Sequence, residues 1–298
     1  MQPAILALFL VIADPAVWMT AAGLVLLAIA VAAARNDIAR ARGIDKVVAL
    51  TPLCFAIPLA VFGAEHLAGP QALLPLVPPY MPLRMFWVYF VGLALIAASL
   101  SIAIGRQVRW SGLLLGVMMF SFVAMLHLPG AIRTGGRIPW TIVFREMSFG
   151  GAGWVLAGTA MGGSRIGGKA LVVVGRTAIA ITAMFFGIEH FLHPLGLPGV
   201  PLVKEMPAWV PVRAAFDYVT GAFLLVAGVC FLLDRATRPA ASWLGGWIVL
   251  LVVAIYGPVL IGALGDARSG VQVEGVNYFA DTLLFGAAIL SLAAVARK

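Results

Sequence analysis

Charge is what this sequence has least of. Only 11% of its 298 residues are Asp, Glu, Lys or Arg, while 62% are hydrophobic; a soluble globular domain carries about 25% charged residues. So little charge cannot clothe a water-facing surface, which excludes an ordinary soluble enzyme. Cysteine is nearly absent too. Cys54 and Cys230 each lie inside an apolar run with no Cys-x-x-Cys, so a dithiol relay is not expected and buried packing is. The apolar stretch 5–12 has no basic residues before it and no small-residue cleavage site after it, against a removable signal peptide. Short segments of alternating polarity, which a membrane barrel requires, are missing. The chain also has no His-Glu-x-x-His and no cofactor-binding motif of its own.

Long apolar runs are abundant: 15–34, 47–64, 85–105, 110–132, 147–164, 218–233 and 239–265. A hydrocarbon core of roughly 30 Å needs about 20 apolar residues per helix. The expectation is an all-α polytopic membrane protein of about nine transmembrane helices, at 16–34, 47–66, 83–104, 110–128, 140–161, 170–191, 212–233, 241–262 and 277–295. Residues 3–12 read as an interfacial segment, or as an extension kinked at Pro15. The net charge of +8 is topological information before it is anything else. Arg35, Arg40, Arg42 and Lys46, then Arg106 and Arg109, then the linker 162–169, Arg235, Arg238, Arg297 and Lys298 fall in alternate connections. The positive-inside rule makes those connections cytoplasmic. The expectation is a multi-pass protein of the cytoplasmic membrane, N-terminus outside and C-terminus inside, whose partner is membrane lipid rather than nucleic acid. The proline-rich stretches 70–82 and 193–211 read as outer loops without regular helix.

The sequence repeats itself. Phe62-Gly63-Ala64-Glu65-His66 is echoed by Phe186-Gly187-Ile188-Glu189-His190, 124 positions later. After the loop the shift becomes 129: Pro82 with Pro211, Arg84 with Arg213, Tyr89 with Tyr218, Gly92 with Gly221, Pro129 with Pro258. Near the end it is 135: Phe144 with Phe279, Glu146 with Asp281, Gly151 with Gly286. The shift changes only in outer loops, where insertions are tolerated. Three parts follow: an N-terminal helix and basic loop (1–45), a four-helix repeat A (46–165) and a four-helix repeat B (166–298). An even number of helices per unit makes the two repeats enter the membrane in the same direction.

Three stretches of the second half carry a family resemblance. They are Gly187-Ile188-Glu189-His190-Phe191 with its proline loop, Pro211-Val212-Arg213 running into Asp217-Tyr218-Val219-Thr220-Gly221-Ala222, and Asn277-Tyr278-Phe279-Ala280-Asp281-Thr282. The sequence resembles the DoxX-like four-helix membrane proteins, here as a tandem pair. The resemblance implies four-helix bundles. Some members are similar to the membrane subunit of thiosulfate:quinone oxidoreductase or associate with redox enzymes, which implies a lipophilic ligand and a redox partner protein.

Ionisable residues at membrane depth are functional candidates. Glu65, His66, Glu146, Glu189, His190 and Asp281 are the candidate proton-exchanging or catalytic groups. Arg84, Tyr89, His193, Trp209, Arg213, Asp217 and Tyr218 are the candidate ligand-lining ones. A purely structural account stands beside this: Arg84 with Glu65, and Arg213 with Glu189, closing each hairpin as an ion pair, Arg213 pairing with Asp217 one turn on, and the aromatics forming an interfacial belt. His190 and His193 beside Glu189 suggest a metal, but Pro194 biases His193 out of helix, and no metal is assigned. Haem between His66 and His127 is disfavoured because Tyr256 replaces His127 in the second unit. Three functions remain open: a membrane subunit binding a quinone-like molecule beside a partner oxidoreductase, a proton-coupled small-solute transporter, and a non-catalytic scaffold. An intramembrane acid catalyst using Glu146 or Asp281 is chemically conceivable.

Overall fold

The computed structural model describes residues 14–162 and 166–295. The opening apolar segment, Arg297 and Lys298, and the middle of the 162–169 linker fall outside the described residues. Nine long helices are present among those described: α1 (Pro15–Arg40), α2 (Thr51–Ala68), α3 (Arg84–Ala103), α4 (Val108–Thr134), α5 (Arg137–Ala160), α6 (Ile166–Leu192), α7 (Arg213–Leu232), α8 (Thr237–Leu264) and α9 (Ser269–Val295). No strand occurs among the described residues, only an isolated bridge between Gly196 and Glu205. The all-α membrane architecture expected from the runs is what the chain adopts. Eight helices are long and apolar enough to cross a membrane. The ninth, α5, carries Arg137, Arg145, Glu146 and the run Gly150-Gly151-Ala152-Gly153, which dilute its hydropathy.

Local chemistry explains the helix ends. Asp14 caps α1, its carboxylate accepting from Ala16 N at 3.0 Å, and Pro15 occupies the first turn, where no donor is needed. Pro15 therefore opens α1. The proline loop after α2 also corrects the expectation of wholly irregular chain. Pro70–Leu73 is a helical turn and Leu74–Leu76 a 3-10 turn, each with proline in its first positions. The third helix of each quartet was expected to stop near residues 128 and 262. Both pass through π turns, Val123–His127 and Val252–Tyr256; α4 then runs on to Thr134, past its expected end, while α8 ends at Leu264, close to it. The wider π turn makes room for Pro129 and Pro258, whose rings cannot fit a regular helix interior.

These irregularities recur at one spacing. The π turns begin 129 positions apart. So do two pairs of left-handed residues that precede helices, Leu83 with Val212 and Gln107 with Ala236.

The packing order is less expected. Sequential helices from α2 to α9 pack side by side, and α9 returns to α2, closing a ring of eight. Contacts between α5 and α9 cross that ring. The result is two five-membered rings, α2-α3-α4-α5-α9 and α5-α6-α7-α8-α9, sharing the α5–α9 wall. The first helix of each quartet thus leans on the last helix of the other. α1 stands outside, against α2. Small residues allow the tightest crossing: a Cβ on Gly151 of α5 would lie 2.7 Å from the carbonyl oxygen of Gly175 on α6. Thr182 of α6 donates to the Phe144 carbonyl of α5 at 2.8 Å in the same seam.

Candidate functional site

The ionisable residues gather around the shared wall. Arg145 projects from α5 and binds two carboxylates, Asp281 of α9 at 2.6 Å and Glu146 beside it at 2.9 Å. It is also close enough to act electrostatically on Glu65 of α2 and His127 of α4. Glu65 accepts from Asn277 Nδ2 of α9 at 2.9 Å. His66 points its Nδ1 at the Phe62 carbonyl, 2.7 Å away, and feels the charge of Glu146. The first ring therefore joins Glu65, His66, His127, Arg145, Glu146, Asn277 and Asp281, from four of its five helices. Three carboxyls share one guanidinium. With three carboxylates against one guanidinium, and both imidazoles neutral, two added protons are needed before the cluster loses its net negative charge, in a setting that penalises such charge strongly. Hydrogen-bonding capacity is left over: Arg145 Nε and Asn277 Oδ1 have no partner among the described residues.

The second ring is built on Glu189, His190 and Asp217. Glu189 pairs with Arg137 of α5 at 3.3 Å, and Arg137 also donates to the Leu202 carbonyl at 3.0 Å. His193, just past the end of α6, lies 3.8 Å from Glu189 and is half exposed. His190 is buried, with Nδ1 2.6 Å from the Phe186 carbonyl and Nε2 accepting from Gly199 N at 2.9 Å. Asp217 is 1% exposed, 3.8 Å from His190 Nε2, and neither of its oxygens has a hydrogen-bond partner among the described residues. Arg137 and Arg145 are eight residues apart on one helix, roughly 12 Å. Both Glu-His pairs therefore sit at the same end of the bundle.

The expected hairpin ion pairs do not form. Arg84 donates to the carbonyls of Val77 at 3.0 Å and Leu74 at 2.7 Å, and Arg213 to that of Met206 at 3.2 Å. Each arginine ties down the loop that precedes its helix, whose last turns leave carbonyls unsatisfied. Glu65 and Glu189 are served instead by the other quartet's fourth helix, through Asn277 and Arg137. Arg213 does not reach Asp217 either. Tyr89, Trp209 and Tyr218 are exposed, with Tyr218 stacked on Phe191, so the structure does not bring them into either cluster. Among the described residues, no group of three or more His, Cys, Asp or Glu is arranged to hold a metal ion. Cys54 and Cys230 are free thiols, the first buried and the second partly so.

The two rings differ most in what covers them. Residues 197–201 of the second loop are all buried, and Leu197, Val200, Met206 and Val210 join the apolar core. The loop is a plug. Its counterpart, residues 70–82, is mostly exposed and buries only Pro78. Under it Glu65, His66 and His127 remain half-buried, whereas Glu189, His190 and Tyr256 are buried. At the opposite, basic end the first ring opens into a 540 Å³ cavity lined by Arg106, Arg109, Thr159 and Ser291 among others.

Reasoning from sequence found the acids and imidazoles but missed Asn277, Arg137 and Gly199. The eight-residue spacing of Arg137 and Arg145, two turns on one helix face, was the available signal. No family model, no curated protein and no solved structure matches the chain.

Proposed function

We propose that this membrane protein binds a lipophilic small molecule with a polar, quinone-like head at the acidic end of the first ring and exchanges protons with it. The observation that carries this reading is the cluster of Glu65, Glu146 and Asp281 around the single Arg145, in which Glu146 and Asp281 are buried and Glu65 is half-buried beneath a mostly exposed loop. A surplus carboxyl in such a place is a proton carrier within reach of a bound head group. Arg145 Nε supplies a spare donor and Asn277 Oδ1 a spare acceptor, which suits a head that must be held in both its oxidised and reduced forms. Electrons would come from a partner oxidoreductase, since the sequence carries no cofactor motif.

The same proposal takes the chain as a fused pair of DoxX-like units in the cytoplasmic membrane, with the acidic end outward. Supporting the duplication are the π turns and left-handed residues at one common spacing. Supporting the orientation is the run of arginines at the opposite end.

Gentle purification followed by mass spectrometry should find a co-purifying lipophilic molecule. In the doubly substituted Glu146→Gln, Asp281→Asn protein, proton uptake linked to that molecule should fall at least tenfold. A preparation without any such molecule, in which these substitutions alter stability only, would identify a scaffold instead. Uptake of a water-soluble solute into proteoliposomes, driven by a proton gradient, would identify a transporter.

A further inference from the structure

One peptide unit in the second ring is held on both sides. The carbonyl of Pro198 accepts from the Tyr256 hydroxyl of α8 at 3.0 Å, and the N–H of Gly199 donates to His190 Nε2 of α6 at 2.9 Å. His190 Nδ1 faces the Phe186 carbonyl at 2.6 Å. A carbonyl can only accept, so Nδ1 bears the ring proton, Nε2 bears the lone pair, and the imidazole is neutral. That network assigns the tautomer.

Asp217 lies directly beside this ring, sealed from solvent and with both oxygens unpartnered. The groups that might compensate a charge there are occupied. Arg213, one turn earlier on α7, is turned to the Met206 carbonyl. Arg137 of α5 is held by Glu189, and Arg145 by Asp281 and Glu146. Tyr256 of α8 faces Asp217 as a neutral hydroxyl bonded elsewhere. An isolated carboxylate in such surroundings is strongly disfavoured, so the carboxyl holds a proton. Its one nearby basic atom among the described residues, His190 Nε2 at 3.8 Å, is blocked by Gly199.

We propose that Asp217 and His190 form an occluded proton-exchange site, gated by the Pro198–Gly199 peptide. With the gate closed, the proton stays on Asp217. When the peptide turns, the Gly199 N–H leaves Nε2 and the Pro198 carbonyl leaves Tyr256. The Asp217 O–H bond then breaks as an N–H bond forms at Nε2, giving a carboxylate beside an imidazolium. The Nδ1–H stays on the Phe186 carbonyl throughout. Both states hold the same number of protons, so the turn itself requires no change of pH. Only the open state lets the Nε2 proton equilibrate with water at the loop mouth.

Glycine is required at the gate. Gly199 has φ +119°, a conformation L side chains rarely adopt, and a Cβ there would lie 3.0 Å from Thr282 Cγ2. The inference uses residues of the second ring and does not depend on what the first ring binds.

The test uses the full chain in lipid nanodiscs, with two readouts. Infrared spectroscopy should show a protonated-carboxyl band at neutral pH that Asp217→Asn removes. Hydrogen exchange of the peptide spanning Gly199 should slow about tenfold in Asp217→Asn, because asparagine cannot hand a proton to Nε2 and the gate stays shut. Tyr256→Phe should speed that exchange while leaving the carboxyl band in place. Unchanged or faster exchange in Asp217→Asn, or no band lost, overturns the proposal. Should Asp217→Asn not fold, Asp217→Glu must shift the carboxyl band in frequency; no shift overturns the proposal equally.

Discussion

At the scale of single residues, Arg145 has the largest expected effect. It pairs with Glu146 beside it and with Asp281 of α9, inside the wall the rings share. Replacing it with glutamine strands two buried carboxyls, and breaking such a pair from one side costs about 3–5 kcal/mol. Arg145→Gln should lower the thermal midpoint markedly, and adding Asp281→Asn should recover part of the loss; an additive result would show the pair is not coupled. A weaker pair reports on pH. The Arg176 guanidinium, hydrogen-bonded to Asp234 at the basic end, holds that carboxyl below the usual range. Its contribution is present above the unfolded carboxylate value and disappears as pH falls through the lower, folded one. Asp234 is mostly exposed, so the effect is at most about 1 kcal/mol. The stability gap between the parent and Asp234→Asn should close on acidification. The sequence showed which residues are ionisable at depth. It did not show their partners, because Glu65 and Asn277 are 212 positions apart and nothing local links them.

At the scale of helices, hydropathy was a good guide to number and a poor one to ends. α9 begins at Ser269, well before the expected residue 277, because its first turns carry Gln272 and Glu274 and look like loop. α4 outlasts Pro129 because a π turn absorbs the misfit, a solution that composition does not announce. The most sensitive element is the α5–α6 seam. Gly151→Val would drive a branched side chain into the α6 backbone near Gly175, and overpacking of this kind costs about 1–3 kcal/mol or more. The variant should be less thermostable than Gly162→Val at the seam's solvent end, where a Cβ meets nothing within 4 Å, although Gly162, at φ +74°, carries its own backbone strain. Equal losses in the two would argue against close packing as the reason for the glycine.

At the scale of the whole molecule, the exchange of partners between quartets was not legible at all. Two sets of four helices, α2–α5 and α6–α9, can each close on themselves or lean on one another with the same hydrophobic pattern, and only the three-dimensional contacts decide. Because α2 rests on α9 and α6 on α5, neither half has a complete core alone. Fragments 1–162 and 166–298, expressed together, should co-purify as a complex, whereas either expressed singly should aggregate or be degraded. Stable, monodisperse single halves would contradict the exchanged arrangement.

Asp281 and Thr282 are consecutive residues of α9, yet they look into different chambers. Asp281 grips Arg145 in the first ring, while Thr282 stands on the side of the second ring where a side chain added at Gly199 would meet its Cγ2 at 3.0 Å. A small axial rotation of that one helix, prompted by whatever loosens the arginine's hold on one side, would press or relieve the backbone on the other. The common wall thus carries, on two neighbouring residues of one helix, a piece of each compartment, so neither can be displaced along α9 without moving the other.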